Sequence, residues 1–129
     1  MKTFISAKIH RIVVTEAELD YIGSATIDTE LLDACGIDPY EKIEIANVDN
    51  GQRWATYALP GAKGTFALNG AAARMGCVGD TCIVMAYKQE EHFSGATALV
   101  CNPDNSIKEI LQYPITEPRP VDGPSVKVD

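Results

Sequence analysis

The sequence predicts a mainly β fold, a small closed β-barrel with one or two short helices. Short apolar segments that alternate with polar residues recur along the chain, and ten glycines and seven prolines supply turns between them. Signals for both ends of a helix occur together at one place only. Closure is predicted because a small open sheet would leave exposed strand edges. The 129 residues fit one domain, which we place at residues 1–113.

The first predicted strand covers residues 3–14 and carries a basic stripe. Alternation gives two faces, because successive side chains of a strand point to opposite sides. One face takes Ile5, Ala7, Ile9 and Val13, and the other takes Phe4, Ser6, Lys8, His10, Ile12 and Val14. Lys8 and His10 are therefore expected to project from the same side of the strand.

A helix and a hairpin follow. Asp28 is a predicted N-cap, Glu30 suits the first turn, and Gly36 ends the helix. Residues 42–48 and 52–59 are two strand-like segments joined through Asn50-Gly51, a sequence typical of tight hairpin turns. On the second of these strands one face carries Arg53, Ala55, Tyr57 and Leu59, and the other carries Trp54, Thr56 and Ala58.

The remaining elements are short. Strands are predicted at residues 65–68, 81–88, 98–101 and 107–113, and a helical turn at residues 71–73. Beyond residue 113, four prolines and few large apolar side chains predict a mobile tail over residues 114–129.

Composition excludes several classes of protein. The chain has 11 basic and 18 acidic residues, a net charge of −7, which disfavours non-specific binding to nucleic acid or anionic membranes. The longest apolar run, residues 82–87, is far below the ~20 residues of a membrane span. The four cysteines form no CxxC pair and have no histidines at zinc-site spacing. We therefore expect a cytoplasmic protein with reduced thiols and no metal.

Four short blocks carry the chemistry, and their order and spacing resemble those of the pyruvoyl-dependent aspartate 1-decarboxylase family. The resemblance covers residues 1–88 well, is weaker as far as Tyr113, and departs at Arg74, where the family has a histidine. The blocks are Lys8-Ile9-His10-Arg11, Tyr21-Ile22-Gly23-Ser24, Asn50-Gly51-Gln52-Arg53-Trp54-Ala55-Thr56-Tyr57-Ala58 and Asn69-Gly70-Ala71-Ala72-Ala73.

This resemblance implies a double-psi β-barrel and a homotetramer whose active sites lie between neighbouring subunits. It also implies self-cleavage between Gly23 and Ser24 into a short chain, 1–23, and a longer chain, 24–129. Ser24 then becomes a covalent pyruvoyl group, so that neither a metal nor pyridoxal phosphate is needed. Whether a separate maturation protein assists the cleavage stays open.

The implied reaction is decarboxylation of L-aspartate to β-alanine and CO2 for pantothenate and coenzyme A biosynthesis, through a Schiff base on the group derived from Ser24. By resemblance, Tyr57 donates the proton and Thr56 assists processing. By the same resemblance, Lys8, His10 and Arg53 contact the substrate carboxylates. The pyruvoyl group and the substrate are positioned by Asn69, Gly70, Ala71 and Ala72. Strand alternation puts Thr56 opposite Arg53 and Tyr57, which leaves open how Thr56 reaches Gly23.

Two other interpretations compete with this one. In the first, the chain is a catalytically silent β-barrel that acts as an interaction module, and Gly23-Ser24 is an ordinary turn. In the second, it is a hydrolase that uses Ser24 and His10. The hydrolase lacks the Gly-x-Ser-x-Gly elbow around Ser24.

Overall fold

A computed structural model describes residues 1–115 of the chain. Within them the predicted mainly β class is confirmed: nine strands, one α-helix and one short 3₁₀ helix follow one another. The elements are β1 (Lys2–Val13), β2 (Glu16–Glu18), β3 (Ser24–Asp28), α1 (Thr29–Cys35), β4 (Lys42–Asn47), β5 (Arg53–Gly61), β6 (Phe66–Asn69), the 3₁₀ helix (Gly70–Arg74), β7 (Thr81–Glu90), β8 (Ala96–Cys101) and β9 (Ile107–Tyr113).

The strands form one sheet in the order β2-β6-β3-β5-β4-β7-β1-β8-β9. Three of its pairs are parallel, β1 with β8, β2 with β6 and β3 with β5. The order has two ends, β2 and β9, and no ladder joins these strands in residues 1–115. The hydrogen-bonded sheet is therefore open, whereas the sequence predicts a closed barrel. The sheet curls around one core instead. Ile27 of β3 and Phe66 of β6 pack in the same core cluster as Ile9 of β1 and Val84 of β7.

The faces of β1 differ from the predicted alternation at two places. Between Ile5 and Ala7 the pairing with β7 shifts register, so these two residues do not share the predicted face, and a second shift follows His10. Arg11 has a φ of 65°, and the pairing with β7 shifts register between His10 and Ile12. This bulge adds one residue to the strand, so Ile12 and Val14 turn into the core beside Ile9. Lys8 and His10 precede the bulge and keep a common face.

Local sequence signals place α1 and the hairpin where they were predicted. The Asp28 carboxylate accepts a hydrogen bond from the Glu30 amide at 2.8 Å, and Gly36 ends the helix with a φ of 79°. Gly51 has a φ of 77° between the antiparallel strands β4 and β5. The two caps of α1, a helix only seven residues long, satisfy the Glu30 amide at its start and the Leu32 carbonyl near its end, which accepts from the Gly36 amide.

Asn105 joins three separate segments below the barrel-like core. Its side chain, 1% exposed, accepts from the Val13 amide at 2.7 Å and donates to the carbonyls of Val13 and Gly64 at 2.9 and 3.0 Å. The end of β1 is thereby fixed to the loops before β6 and β9.

From residue 116 onward, the predicted mobile tail lies outside the described residues. Neither helix in residues 1–115 has the length and apolar character needed to cross a bilayer.

Candidate active site

Ser24 opens β3 and is buried, with 1% of its surface exposed. Its direct partner on the antiparallel neighbour β6 is Asn69. Within residues 1–115, the Ser24 hydroxyl oxygen Oγ makes no hydrogen bond. A buried polar group without a partner costs free energy and is rare in folded proteins, so this hydroxyl marks Ser24 as a candidate reactive residue.

The backbone of residues 69 and 70 packs directly against the Gly23-Ser24 peptide. Gly70 has a φ of 65°, and a Cβ atom built on it would lie 2.7 Å from Gly23 Cα and 2.9 Å from Gly23 N. A Cβ on Gly23 would meet the Asn69 carbonyl oxygen at 3.5 Å. The close approach thus requires glycine at position 70, since a side chain there would displace the backbone of residue 23, whereas a Cβ on Gly23 would make only an ordinary van der Waals contact.

The side chain of Asn69 is hydrogen-bonded to Thr26, on the same face of β3 as Ser24. Asn69 is 7% exposed, and its amide nitrogen donates to Thr26 Oγ1 at 3.0 Å. Thr26 lies two residues after Ser24 on β3, so the two side chains share a face. Thr26 is not predicted as a site residue from the sequence, because only the pairing of β3 with β6 places it beside Asn69.

On its other side, β3 pairs with β5. The parallel register begins at Ala25 and Ala58, so Ser24 and Tyr57 stand one residue before it at the same end of the ladder. Tyr57 is half-buried, and its ring stacks on that of Tyr40 at 6.0 Å between centroids. Thr56 pairs with the buried Ile43 and therefore faces the opposite side of β5 from Tyr57.

The basic residues proposed for substrate binding lie elsewhere on the sheet. Arg53 is four residues before Tyr57, about 13 Å along the strand, and β5, β4 and β7 separate β1 from β3. Direct pairing across the sheet runs from Arg53 to Ala46, Ile83 and His10, and a second row runs from Ala55 to Glu44, Met85 and Lys8. One chain therefore places Arg53, His10 and Lys8 on one sheet face but not beside its own Ser24.

The 3₁₀ helix supplies the other two predicted binding residues. Ala72 is half-buried against the core, and Ala71 is exposed. Both follow Gly70 directly, so their backbone continues the segment that packs on Gly23.

The buried thiols offer no competing nucleophile. Burial raises the pKa of Cys35 and Cys101 to about 11 and that of Cys82 to about 12. The protonated thiol is unreactive compared with the thiolate. In the part of the chain that the structure describes, no three side chains of His, Cys, Asp or Glu are grouped to hold a metal ion.

In residues 1–115, fold and site together define a small β-protein in which a buried serine hydroxyl without a hydrogen-bond partner lies beside a tightly packed glycine. The family model for aspartate decarboxylase matches residues 1–110. The chain belongs to the aspartate decarboxylase family, which confirms the resemblance of the four sequence blocks.

Curated relatives cover nearly the whole chain. It is 48% identical to aspartate 1-decarboxylase of Desulfotalea psychrophila over 116 residues, which are 84% of this chain and 96% of the relative. It is 47% identical to the enzyme of Exiguobacterium sibiricum, over 89% of this chain and 95% of that one. With the enzyme of Bacillus subtilis the identity is 45%, over 85% and 91% of the two chains.

Proposed function

We propose that this chain is an aspartate 1-decarboxylase, a carbon–carbon lyase that converts L-aspartate to β-alanine and CO2 for pantothenate biosynthesis. The activity rests on family membership and on relatives of that name that match over nearly their full lengths. The observation that carries the chemistry is the buried Ser24 hydroxyl without a partner in residues 1–115, next to the packed Gly23 backbone. A catalytically silent barrel would gain nothing from that arrangement, and we do not favour it.

The first proposed step is self-cleavage. Ser24 Oγ attacks the Gly23 carbonyl carbon, the C–N bond breaks, and the amide nitrogen takes a proton, which leaves an ester. Elimination then removes the proton on Ser24 Cα, breaks the bond between Ser24 Cβ and the ester oxygen, and frees the Gly23 carboxylate. The dehydroalanine that remains hydrolyses to a pyruvoyl group and ammonia. Residues 1–23 and 24–129 are the two products.

The described residues support this step in two ways. The Ser24 hydroxyl loses no hydrogen bond when it reacts, because it has none to another group in residues 1–115. Close packing of Gly70 on Gly23 restricts the peptide that is attacked, and preorganisation of that kind lowers the entropic cost of reaction. Thr56 remains our proposal for stabilising the oxyanion of the intermediate.

The position of Ser24 also suits the pyruvoyl group itself. The group keeps the small size of serine, and the buried site excludes bulk water around it. We assign Asn69, Gly70, Ala71 and Ala72 to holding it and the substrate. Once formed, it supplies a ketone that accepts the electrons of the breaking carbon–carbon bond.

Substrate binding needs local positive charge, because L-aspartate brings two carboxylates to a chain of net charge −7. We assign the carboxylates to Arg53, Lys8 and His10. Arg53 offers a planar guanidinium that binds carboxylates through paired hydrogen bonds. Tyr57, at the Ser24 end of β5, is our proposed donor of the proton that replaces CO2.

We infer that neighbouring copies in a homotetramer complete each site, since one chain holds Arg53 and Lys8 far from its own Ser24 along the sheet. We further propose a cytoplasmic location, with a maturation protein as an optional partner.

The whole proposal is tested by intact mass measurement under denaturing conditions. We expect two fragments, produced by a break after Gly23, and the larger fragment should have no free α-amine. Borohydride in the presence of L-aspartate is expected to reduce the Schiff base on the larger fragment. Because the Schiff base forms with loss of water and reduction adds two hydrogens, the fragment gains the mass of L-aspartate, or of β-alanine after loss of CO2, less one oxygen atom. A full-length chain that persists after prolonged warming contradicts self-cleavage.

Tyr57→Phe is expected to cleave normally but to turn over poorly. The ring is kept, so packing on Tyr40 stays, and only the proton-donating hydroxyl is lost. We expect kcat to fall by about 100-fold, measured by release of CO2. Tyr40→Phe is the matched control and should retain most of the activity. Wild-type turnover in Tyr57→Phe removes Tyr57 from the proton-donor role.

Mixed oligomers test the shared site. Chains with Ser24→Ala and chains with Arg53→Ala are each expected to be nearly inactive as pure oligomers. Co-expressed, they are expected to regain activity, because some sites then combine an intact Ser24 with an intact Arg53 from a neighbour. The measurement is decarboxylase activity of the purified mixed oligomer. Activity no higher than the sum of the pure variants would show that each site is built from one chain.

A further inference from the structure

Arg53 forms a hydrogen-bonded ion pair with Glu44 on the outer face of the sheet. Its terminal nitrogen Nη2 lies 2.8 Å from the carboxylate oxygen Oε1 of Glu44 on β4. The same oxygen accepts a hydrogen bond from the hydroxyl of Tyr87 on β7, at 3.1 Å. One carboxylate oxygen thus joins side chains from three adjacent strands.

The strand register explains this arrangement. The direct partners of Glu44 are Ala55 on β5 and Met85 on β7. Arg53 and Tyr87 each lie two residues from those partners, so both are diagonal neighbours of Glu44 on the same face. Long side chains reach across such diagonals, and the small side chain of Ala55 leaves space beside Glu44.

The protonation states agree with these bonds. Hydrogen bonds from Arg53 and Tyr87 lower the pKa of Glu44, which keeps it ionised. Burial and the neighbouring Glu44 raise the pKa of Tyr87, which keeps its hydroxyl a donor. Near neutral pH the group is therefore an anion between two donors.

We propose that Glu44 and Tyr87 are positioning residues that orient Arg53 for the substrate carboxylate. This inference rests on the proposed role of Arg53 in substrate binding. The Arg53 side chain is 58% exposed, and such a side chain samples many rotamers unless a partner holds it. The bond to Glu44 uses one of the five N–H groups of the guanidinium, so a carboxylate can still bind to the others.

The test is steady-state kinetics on the self-processed enzyme, which contains both fragments of the proposed cleavage. Tyr87→Phe and Glu44→Gln are each expected to raise KM for L-aspartate about threefold to fivefold, the range of an exposed ion pair. We expect kcat to change by less than about twofold and cleavage after Gly23 to remain complete. Glu90→Gln is the matched control: it lies on β7, pairs with Lys88 at 3.7 Å, and should leave KM unchanged.

A second background separates positioning from general damage. In Arg53→Lys chains, whose KM is already raised, Glu44→Gln should add little, because the partner to be oriented has lost its fork. A full additional effect in that background would overturn the proposal. A lower KM in Glu44→Gln alone would also overturn it, since Glu44 would then compete with substrate for Arg53.

The outcomes also separate this inference from the proposed site. An unchanged KM in Arg53→Lys removes Arg53 from substrate binding. A raised KM in Arg53→Lys with an unchanged KM in both Glu44→Gln and Tyr87→Phe leaves the proposed site intact and removes only the positioning role.

Discussion

Ser24→Ala is expected to give a single chain of 129 residues that does not release CO2 from L-aspartate. Alanine has no hydroxyl to attack the Gly23 carbonyl, so neither the ester nor the ketone derived from it can form. The fold should be kept, because the lost hydroxyl has no hydrogen bond in the described part of the chain and alanine fits the buried space.

Intact mass under denaturing conditions checks this result, and circular dichroism checks that the variant is folded. Ser94→Ala is the control, a serine on the surface that bonds to Glu90 away from the site. It should yield the same two fragments as the unchanged chain. A break after residue 23 in Ser24→Ala would refute the maturation scheme, since another nucleophile would then be at work.

Gly70→Ala is expected to slow the cleavage after Gly23 by at least about tenfold. Its Cβ would lie 2.7 Å from Gly23 Cα and 3.0 Å from the Tyr21 carbonyl oxygen, so the backbone before Ser24 has to move. A left-handed φ adds a backbone cost of about 1–2 kcal/mol. Displacement of about 1 Å in a reacting group is enough for such a rate loss.

The time course of fragment formation at constant temperature measures this effect. Gly36→Ala is the matched control: Gly36 also has a left-handed φ, of 79°, but a Cβ there meets nothing within 4 Å. It should lose a similar amount of backbone stability and cleave at the normal rate. Equal cleavage rates in Gly70→Ala and the unchanged chain would show that the close packing plays no part in the reaction.

The elements that the sequence predicted correctly carry local signals. Asp28 and Gly36 cap α1 through bonds to residues two to four positions away, and Asn50-Gly51 forms the turn between two alternating strands. Such signals require no knowledge of distant chain segments.

Neither β2 nor β3 is predicted from the sequence. β2 has three residues, and four of the five residues of β3 are buried, so neither shows the alternation that identifies a strand. The bulge at Arg11 also leaves no pattern before the pairing with β7 is known, which is why Ile12 and Val14 were placed on the wrong face.

The candidate site was located by family resemblance rather than by pattern. Ser24 and Asn69 are 45 positions apart in the sequence, and only the pairing of β3 with β6 makes them partners. For the same reason Thr26, Glu44 and Tyr87 could not be found beforehand. Each matters through a contact with a different strand: Thr26 accepts from Asn69, Glu44 accepts from Arg53, and Tyr87 donates to Glu44.

Ser24 begins a strand that lies between two others, so the proposed cut before Ser24 would leave both products inside the same sheet. β3 is flanked by β5 and β6, while β1, on the other side of the cut, lies between β7 and β8. Each product therefore keeps strands inside a sheet that the other product completes. Separating the two pieces would require unfolding, so a broken chain can work as one molecule for as long as the fold lasts.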